Sequence, residues 1–114
     1  NRNVMSLLNK KCVPCEGGAK PLSSASLQDL SKELHPDWKV LENRQIERDF
    51  KFKNFREAMD FMSAIAKLAE NEGHHPDMNL HGWNKVTITL STHAIDGLSE
   101  NDFIMAAKID FLTL

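Results

Sequence analysis

The chain of 114 residues has few cysteines, no long apolar run and little net charge, and each of these shortages excludes a class of protein. It holds two cysteines, too few for the disulfide framework of a small secreted domain, so a reducing compartment is expected. No apolar run approaches the roughly 18 residues of a membrane-spanning helix, so no membrane partner is expected. The formal net charge is only −2 and no basic block is present, which argues against direct binding of nucleic acid.

The length of the chain predicts one domain with a core of modest size, which would gain from association with a second copy. Residues 1–21 are predicted to be an N-terminal tail, because prolines and glycines break any periodicity there, and residues 22–114 to be the domain. The sequence begins with Asn1 rather than methionine. A cytoplasmic protein is expected, with a mitochondrial or plastid location as the alternative if a targeting segment was trimmed.

Three segments carry the periodicity of helices. The first covers residues 24–34, has leucines at helical spacing and ends before Pro36. The second begins after Asn54, a good N-cap, and ends at Gly73, which is placed to be a left-handed C′ residue. The third opens at Ser99, the first member of a capping box.

The long second helix carries two apolar stripes, although one small domain rarely needs more than one. The stripe predicted to face the core contains Phe55, Ala58, Met59, Met62, Ile65, Ala66 and Ala69. The other stripe is interpreted as a contact with a second subunit and contains Phe61, Ala64 and Leu68.

Strands are predicted between the helices. Residues 38–41 read as a short strand, residues 46–52 alternate between apolar and polar, and residues 85–92 give the clearest two-residue period. Residues 77–82 are a loop or an irregular strand. The expected order is α-β-β-α-β-β-α, which predicts an α+β fold with an antiparallel sheet of about four strands and helices packed on one face.

Histidines supply the strongest signal for chemistry. His74 and His75 are adjacent and are followed at once by Pro76, and a third histidine, His93, lies further along the chain. Imidazoles titrate near neutral pH and can both give and accept protons. The pair should lie at the C-terminal end of the long helix, whose dipole favours imidazolium by roughly 0.3 to 1 kcal/mol. If the last strand extends to His93, the helix end and the strand end can converge on one pocket.

The wider pattern around these histidines has a specific spacing. It includes Glu70, Trp83, the run Thr-Leu-Ser-Thr-His at 89–93 and the run Gly-Leu-Ser-Glu-Asn-Asp at 97–102. This pattern resembles the signature of the pterin-4a-carbinolamine dehydratases, also called 4a-hydroxytetrahydrobiopterin dehydratases, and the likeness extends from about Leu22 to the C-terminus. One extra residue before Trp83 makes the chain more similar to the long-loop plant, protist or bacterial members.

The resemblance implies a reaction and an assembly. The reaction is the dehydration of 4a-hydroxytetrahydrobiopterin to quinonoid dihydrobiopterin in tetrahydrobiopterin recycling, with no metal and no cofactor, and the assembly is a homodimer or homotetramer. Three catalytic residues are implied, with His75 and His93 as the acid/base pair and His74 binding and orienting the pterin. The residues implied in substrate binding are Glu70, Pro76, Ser91, Thr92 and Trp83.

Other polar residues near the motif have simpler explanations. Asp102 belongs to the family pattern, but its place as the N3 residue of the capping box opened by Ser99 is the preferred explanation. Asn101 stands where the better-known animal members carry a basic residue, so contacts to the pterin side chain are expected to differ. His35 and His81 are interpreted as surface residues.

Two groups of residues are candidates for a metal site. Cys12 and Cys15 form a C-x-x-C pair, which alone is half of a zinc site, although a dimer could supply four thiolates to one ion. A redox C-x-x-C should open a helix after a strand, and this pair is followed by two glycines, so a place in the tail is preferred. The adjacent His74 and His75 can hardly both reach one ion.

Two alternative functions remain open. Animal members of the family also bind and stabilise dimers of a homeodomain transcription factor, so a non-catalytic interaction protein is the first alternative. A pterin-handling protein in molybdopterin metabolism is the second. A turnover assay on the synthetic carbinolamine separates both from the dehydratase.

Overall fold

A computed structural model describes residues 7–13 and 21–113. Within residues 21–113, three helices and four strands follow one another in the predicted order. A 3-10 turn at His93–Ile95 precedes the last helix. The elements are α1 (Ser24–Ser31), β1 (Lys39–Leu41), β2 (Gln45–Lys51), α2 (Phe55–Glu72), β3 (Asp77–His81), β4 (Lys85–Leu90) and α3 (Glu100–Phe111).

The strands form one antiparallel sheet in the order β1-β2-β4-β3. Val86, Ile88 and Leu90 of β4 are fully buried, whereas Thr87 and Thr89 between them are only partly covered. The buried residues join those of the helices in one cluster, so the helices cover a single face of the sheet. The predicted α+β fold and its element order are confirmed.

The ends of α2 are fixed by the two residues that the sequence indicated. The Asn54 side chain accepts a hydrogen bond from the Glu57 amide at 2.8 Å. Gly73 has a left-handed backbone with φ of 68°, and its amide donates to the Ala69 carbonyl at 2.9 Å. The helix therefore ends at Glu72, and only Gly73 separates it from His74.

The rotation of α2 about its axis differs from the prediction. Phe61 is 6% exposed, with its ring centroid 4.8 Å from that of Phe50 and 4.9 Å from that of Phe52. Leu68 also packs against the core, so the assignment of these two residues to a subunit contact is wrong. In the stripe predicted to face the core, Ala58, Ile65 and Ala69 are buried as expected, whereas Phe55 is 53% exposed and Met59 is exposed too. Phe50 of β2 and Phe52 just after it pack against Phe61, so this face of the helix lies on the sheet.

Part of the segment predicted as a tail packs on the domain. Leu7 is buried within the core cluster, and residues 10–13 lie against α2 and α3. Cys15, the other half of the C-x-x-C pair, lies outside the described residues. Within the described ranges no helix is long and apolar enough to cross a membrane.

Candidate active site

The register of the sheet brings the segments that contain His74, His75 and His93 to one end of the molecule. Asp77, the first residue of β3, pairs with Thr89 near the end of β4. The segment 74–76 leads into β3 and the segment 91–93 leaves β4, so both lie at the same end of the antiparallel sheet. The strand β4 is shorter than predicted, because Thr92 turns back to pair with Gly97 through a 2.8 Å hydrogen bond to its carbonyl.

His74 is held by a buried carboxylate. Its Nε2 lies 2.7 Å from Oδ1 of Asp102, whose side chain is 0% exposed against 12% for the imidazole. The other oxygen, Oδ2, accepts hydrogen bonds from the Thr92 hydroxyl at 2.8 Å and from the Ser99 amide at 3.0 Å. With its acceptors taken by these donors, the carboxylate favours the His74 tautomer that carries its proton on Nε2.

His75 has the opposite surroundings. Its Nε2 lies 2.7 Å from Oε2 of Glu70, and the two side chains are 61% and 79% exposed. Glu70 precedes His75 by five residues, so this pair joins the last turns of α2 to the residues that follow the helix. The adjacent histidines therefore differ in kind: one imidazole is fixed, and the other is open to solvent and to a ligand.

An open cavity of about 650 Å³ lies beside His93. It occupies the side of β4 that faces β2, since Ile46 at the start of β2 pairs with Leu90. Arg44 and Asp96 close part of its wall with two contacts of 2.7 and 2.8 Å. The predicted site residues in its lining are Ser91, Thr92 and His93, while His74, His75 and Glu70 are not among the lining residues.

Trp83 is not brought to the histidines within one chain. It lies in the turn between β3 and β4 with φ of 60°, and its side chain is exposed. That turn is at the opposite end of the hairpin from His75, and the strand between them spans roughly 17 Å. A role for Trp83 in pterin binding stays a prediction, which would require a second copy of the chain.

Two neighbouring residues have roles that the sequence did not indicate. Asp102 closes the predicted capping box with Ser99, and it also binds His74. Asn101 is buried and its side chain bonds the Val13 backbone in both directions, at 2.6 and 3.0 Å. Membership in the family pattern was the one sequence signal for the contact of Asp102 with His74. Nothing in the sequence near Asn101 indicated its bonds to Val13.

The described residues offer little to a metal ion. No group of three or more His, Cys, Asp or Glu side chains in ranges 7–13 and 21–113 could hold one. Burial, followed by the nearby Glu72 carboxylate, raises the pKa of the Cys12 thiol to about 12. The Cys12 side chain is therefore a neutral thiol at physiological pH.

Comparison with known proteins agrees with the motif. Residues 20–112 match the family model described as pterin 4 alpha carbinolamine dehydratase. A provisionally named pterin-4-alpha-carbinolamine dehydratase of Alkaliphilus metalliredigens is 55% identical over 105 residues, which cover 92% of this chain and 94% of that protein. A protein of the same provisional name from Rubrobacter xylanophilus is 48% identical, over 96% of this chain and 100% of its own. The chain belongs to this family of hydro-lyases.

Solved structures show the same fold. A transcriptional coactivator/pterin dehydratase from Brucella melitensis superposes with a TM-score of 0.75 at 34% identity, covering 82% of this chain and 98% of that one. A pterin dehydratase-like protein identified as a RuBisCO assembly factor in the alpha-carboxysome gives a TM-score of 0.58 at 29% identity, covering 68% and 90%.

Proposed function

We propose that this protein dehydrates 4a-hydroxytetrahydrobiopterin to quinonoid dihydrobiopterin, in the recycling of tetrahydrobiopterin. Membership of the family supports pterin carbinolamine dehydratase activity. The proposal of histidine acid/base catalysis rests on the contrast at the end of α2, where His74 is held by a buried carboxylate and His75 is open to solvent.

The reaction needs an acid and a base. The C4a–O bond breaks readily only when the hydroxyl is protonated and leaves as water, and the proton on N5 must depart as the C4a=N5 double bond forms. Imidazoles with ordinary pKa values near 6.5 can serve in either role at neutral pH. Each positioned proton transfer typically contributes roughly 10²- to 10⁴-fold to the rate.

The surroundings of the histidines support a division of labour. His75 is exposed and paired with Glu70, and His93 borders the open cavity, so both can reach a ligand and exchange protons with water. We assign these two residues to acid/base catalysis. His74 is tied to Asp102, which suits a residue that binds and orients the pterin ring rather than one that moves protons.

The remaining assigned residues surround this end of the sheet. Pro76 directs the chain from His75 into β3, and Ser91 lines the cavity. The Thr92 hydroxyl is bonded to Ser99 and Asp102, so we assign Thr92 to holding the carboxylate that positions His74 as well as to the cavity wall.

The test is steady-state dehydration of the synthetic carbinolamine, followed by ultraviolet absorbance. His75→Ala and His93→Ala should each lower kcat by roughly 10²-fold or more with folding intact, because each removes a proton-transfer group. His74→Ala should raise KM more than it lowers kcat.

The matched control is His81→Ala. His81 is exposed on β3, bonds Thr87 at 2.9 Å, and lies at the other end of the hairpin, so its loss should leave both constants unchanged. Full activity in the double variant His75→Ala/His93→Ala would refute the proposed chemistry.

A second candidate function is that of an interaction protein. The exposed Phe55 and Met59 on α2 favour it, because they form an apolar stripe that another protein could cover. A folded wild-type chain that leaves the carbinolamine to its uncatalysed rate would favour this role over the dehydratase.

A further inference from the structure

Glu72 ties the C-terminal end of α2 to two other parts of the chain. Its side chain is almost completely buried, and Oε2 accepts a hydrogen bond from Lys108 Nζ of α3 at 2.6 Å. The other oxygen, Oε1, accepts from the backbone amide of Cys12 at 2.9 Å. Burial alone would raise the pKa of Glu72, but the bonds from Lys108 and Cys12 outweigh it and lower this pKa. A charged, fully bonded carboxylate thus ends the helix two residues before His74.

Asn101 makes the corresponding connection at the start of α3. Its amide nitrogen donates to the Val13 carbonyl at 2.6 Å, and its oxygen accepts from the Val13 amide at 3.0 Å. The Cys12 thiol lies 3.7 Å from the Asn101 carbonyl oxygen. Paired bonds to one backbone residue fix both distance and direction, and Asn101 directly precedes Asp102.

Residues 10–13 therefore form a strap between the two helix ends that carry His74 and Asp102. One end of the strap is held by Asn101 and its middle by Glu72, and Lys10 adds an exposed ion pair with Glu100. Lys108 closes the arrangement by joining Glu72 to α3 directly.

We infer that Glu72 and Asn101 are positioning residues that keep His74 and Asp102 in register through the strap of residues 10–13. The hydrogen bond between His74 and Asp102 weakens steeply if the two helix ends shift. At metal sites, the loss of a residue that holds a ligand in place typically changes affinity or activity by about 10- to 100-fold, and we expect an effect of that order here. The effect on turnover rests on the proposed function, whereas the effect on the His74–Asp102 bond does not.

The test reads the bond directly. In the full chain without substrate, nuclear magnetic resonance follows the His74 Nε2 proton and its exchange with water. Asn101→Ala and Glu72→Ala should each accelerate this exchange by about 10-fold or more and raise KM for the carbinolamine by about 10-fold, with a smaller change in kcat.

Two further variants make the result decisive. Asn101 is buried, so Val13→Pro provides a change that leaves it in place: the Val13 side chain is exposed, and proline removes the backbone N–H that donates to the Asn101 side-chain oxygen. Asn54→Ala is the matched control, because it removes a cap from the far end of α2 and should leave the proton and KM unchanged.

The inference is overturned if the folded Val13→Pro and Asn101→Ala proteins keep the wild-type proton exchange and KM. It is also overturned if Asn54→Ala changes them equally, since general loss of stability would then explain the effect. A wild-type chain that does not dehydrate the carbinolamine would end the proposed function, while the proton signal would still decide the positioning.

Discussion

At the scale of single residues, the neighbouring imidazoles of His74 and His75 differ in burial and in how firmly they are held. Asp102 can hold His74 only because Thr92 and Ser99 also donate to it, so that a fully buried carboxylate has its lone pairs satisfied. His75 stays accessible to solvent, because its partner Glu70 is exposed as well. Surface pairs of this kind contribute little to stability, so His75 is free to serve chemistry.

The substitution Asp102→Ala should destabilise the protein more than the loss of a helix cap does. It leaves His74, Thr92 and the Ser99 amide without their acceptor in a buried place, at a cost of about 3 kcal/mol or more. Ser99→Ala removes the cap and the contact with the Thr92 hydroxyl but keeps Asp102, and should cost about 1 kcal/mol. Urea unfolding of the two variants measures the difference, and equal losses would show that the bond to His74 adds nothing to the capping box.

Acidification should remove the contribution of Glu72 to stability. Because the pKa of Glu72 is lowered on folding, its contribution is present above the ordinary glutamate pKa of about 4.3 and is lost as pH falls through the lowered value. The wild type should therefore exceed Glu72→Gln in unfolding free energy at pH 7, and the gap should close below about pH 4.

Urea unfolding at several pH values measures this gap. The pKa of Asp110 is raised by burial, which acts in the opposite direction, but this group is common to both proteins and cancels in the difference. A gap that stays constant down to pH 3 or so would contradict the assignment of a charged Glu72.

At the scale of elements, local signals determined where structures begin and end. Asn54, Gly73 and the capping box at Ser99 were predictable because each acts on residues within one helical turn. The partners of Arg48 and His74 were not, since Asp110 and Asp102 lie 62 and 28 residues further along the chain. The buried face of α2 was also beyond prediction, because it combines residues of both apolar stripes: Ala58, Ile65 and Ala69 of one and Phe61 of the other.

The end of α2 offers a test of how strictly the backbone places the histidines. Gly73 has φ of 68°, and a Cβ built there would meet nothing within 4 Å, so Gly73→Ala adds strain in the backbone alone. The expected loss is about 1 to 2 kcal/mol, and Gly73→Asn should lose less, because asparagine tolerates the left-handed region. Thermal melts check the order of the three proteins, and an alanine variant as stable as the wild type would show that the helix end can rearrange.

At the scale of the whole molecule, a single chain does not bring all of the predicted site residues together. The histidines lie at one end of the sheet, Trp83 lies at the other, and the stripe of Phe55 and Met59 on α2 faces solvent. A second copy of the chain would cover that stripe and could bring a distant residue such as Trp83 near a partner's histidines. We therefore propose that the working protein is a homodimer or homotetramer.

Association through α2 should depend on Phe55 and Met59. Burying each of these exposed side chains would contribute roughly 1.5 to 3 kcal/mol. The double variant Phe55→Glu/Met59→Glu should therefore reduce the particle mass in light scattering to that of one chain, 12.9 kDa, with the fold intact by circular dichroism.

Phe111→Glu is the matched control, because Phe111 is an exposed phenylalanine on α3 and its change should leave the assembly intact. A wild-type protein that stays at 12.9 kDa at micromolar concentration would refute the proposed assembly, and a double variant that still associates would place the interface elsewhere than on α2.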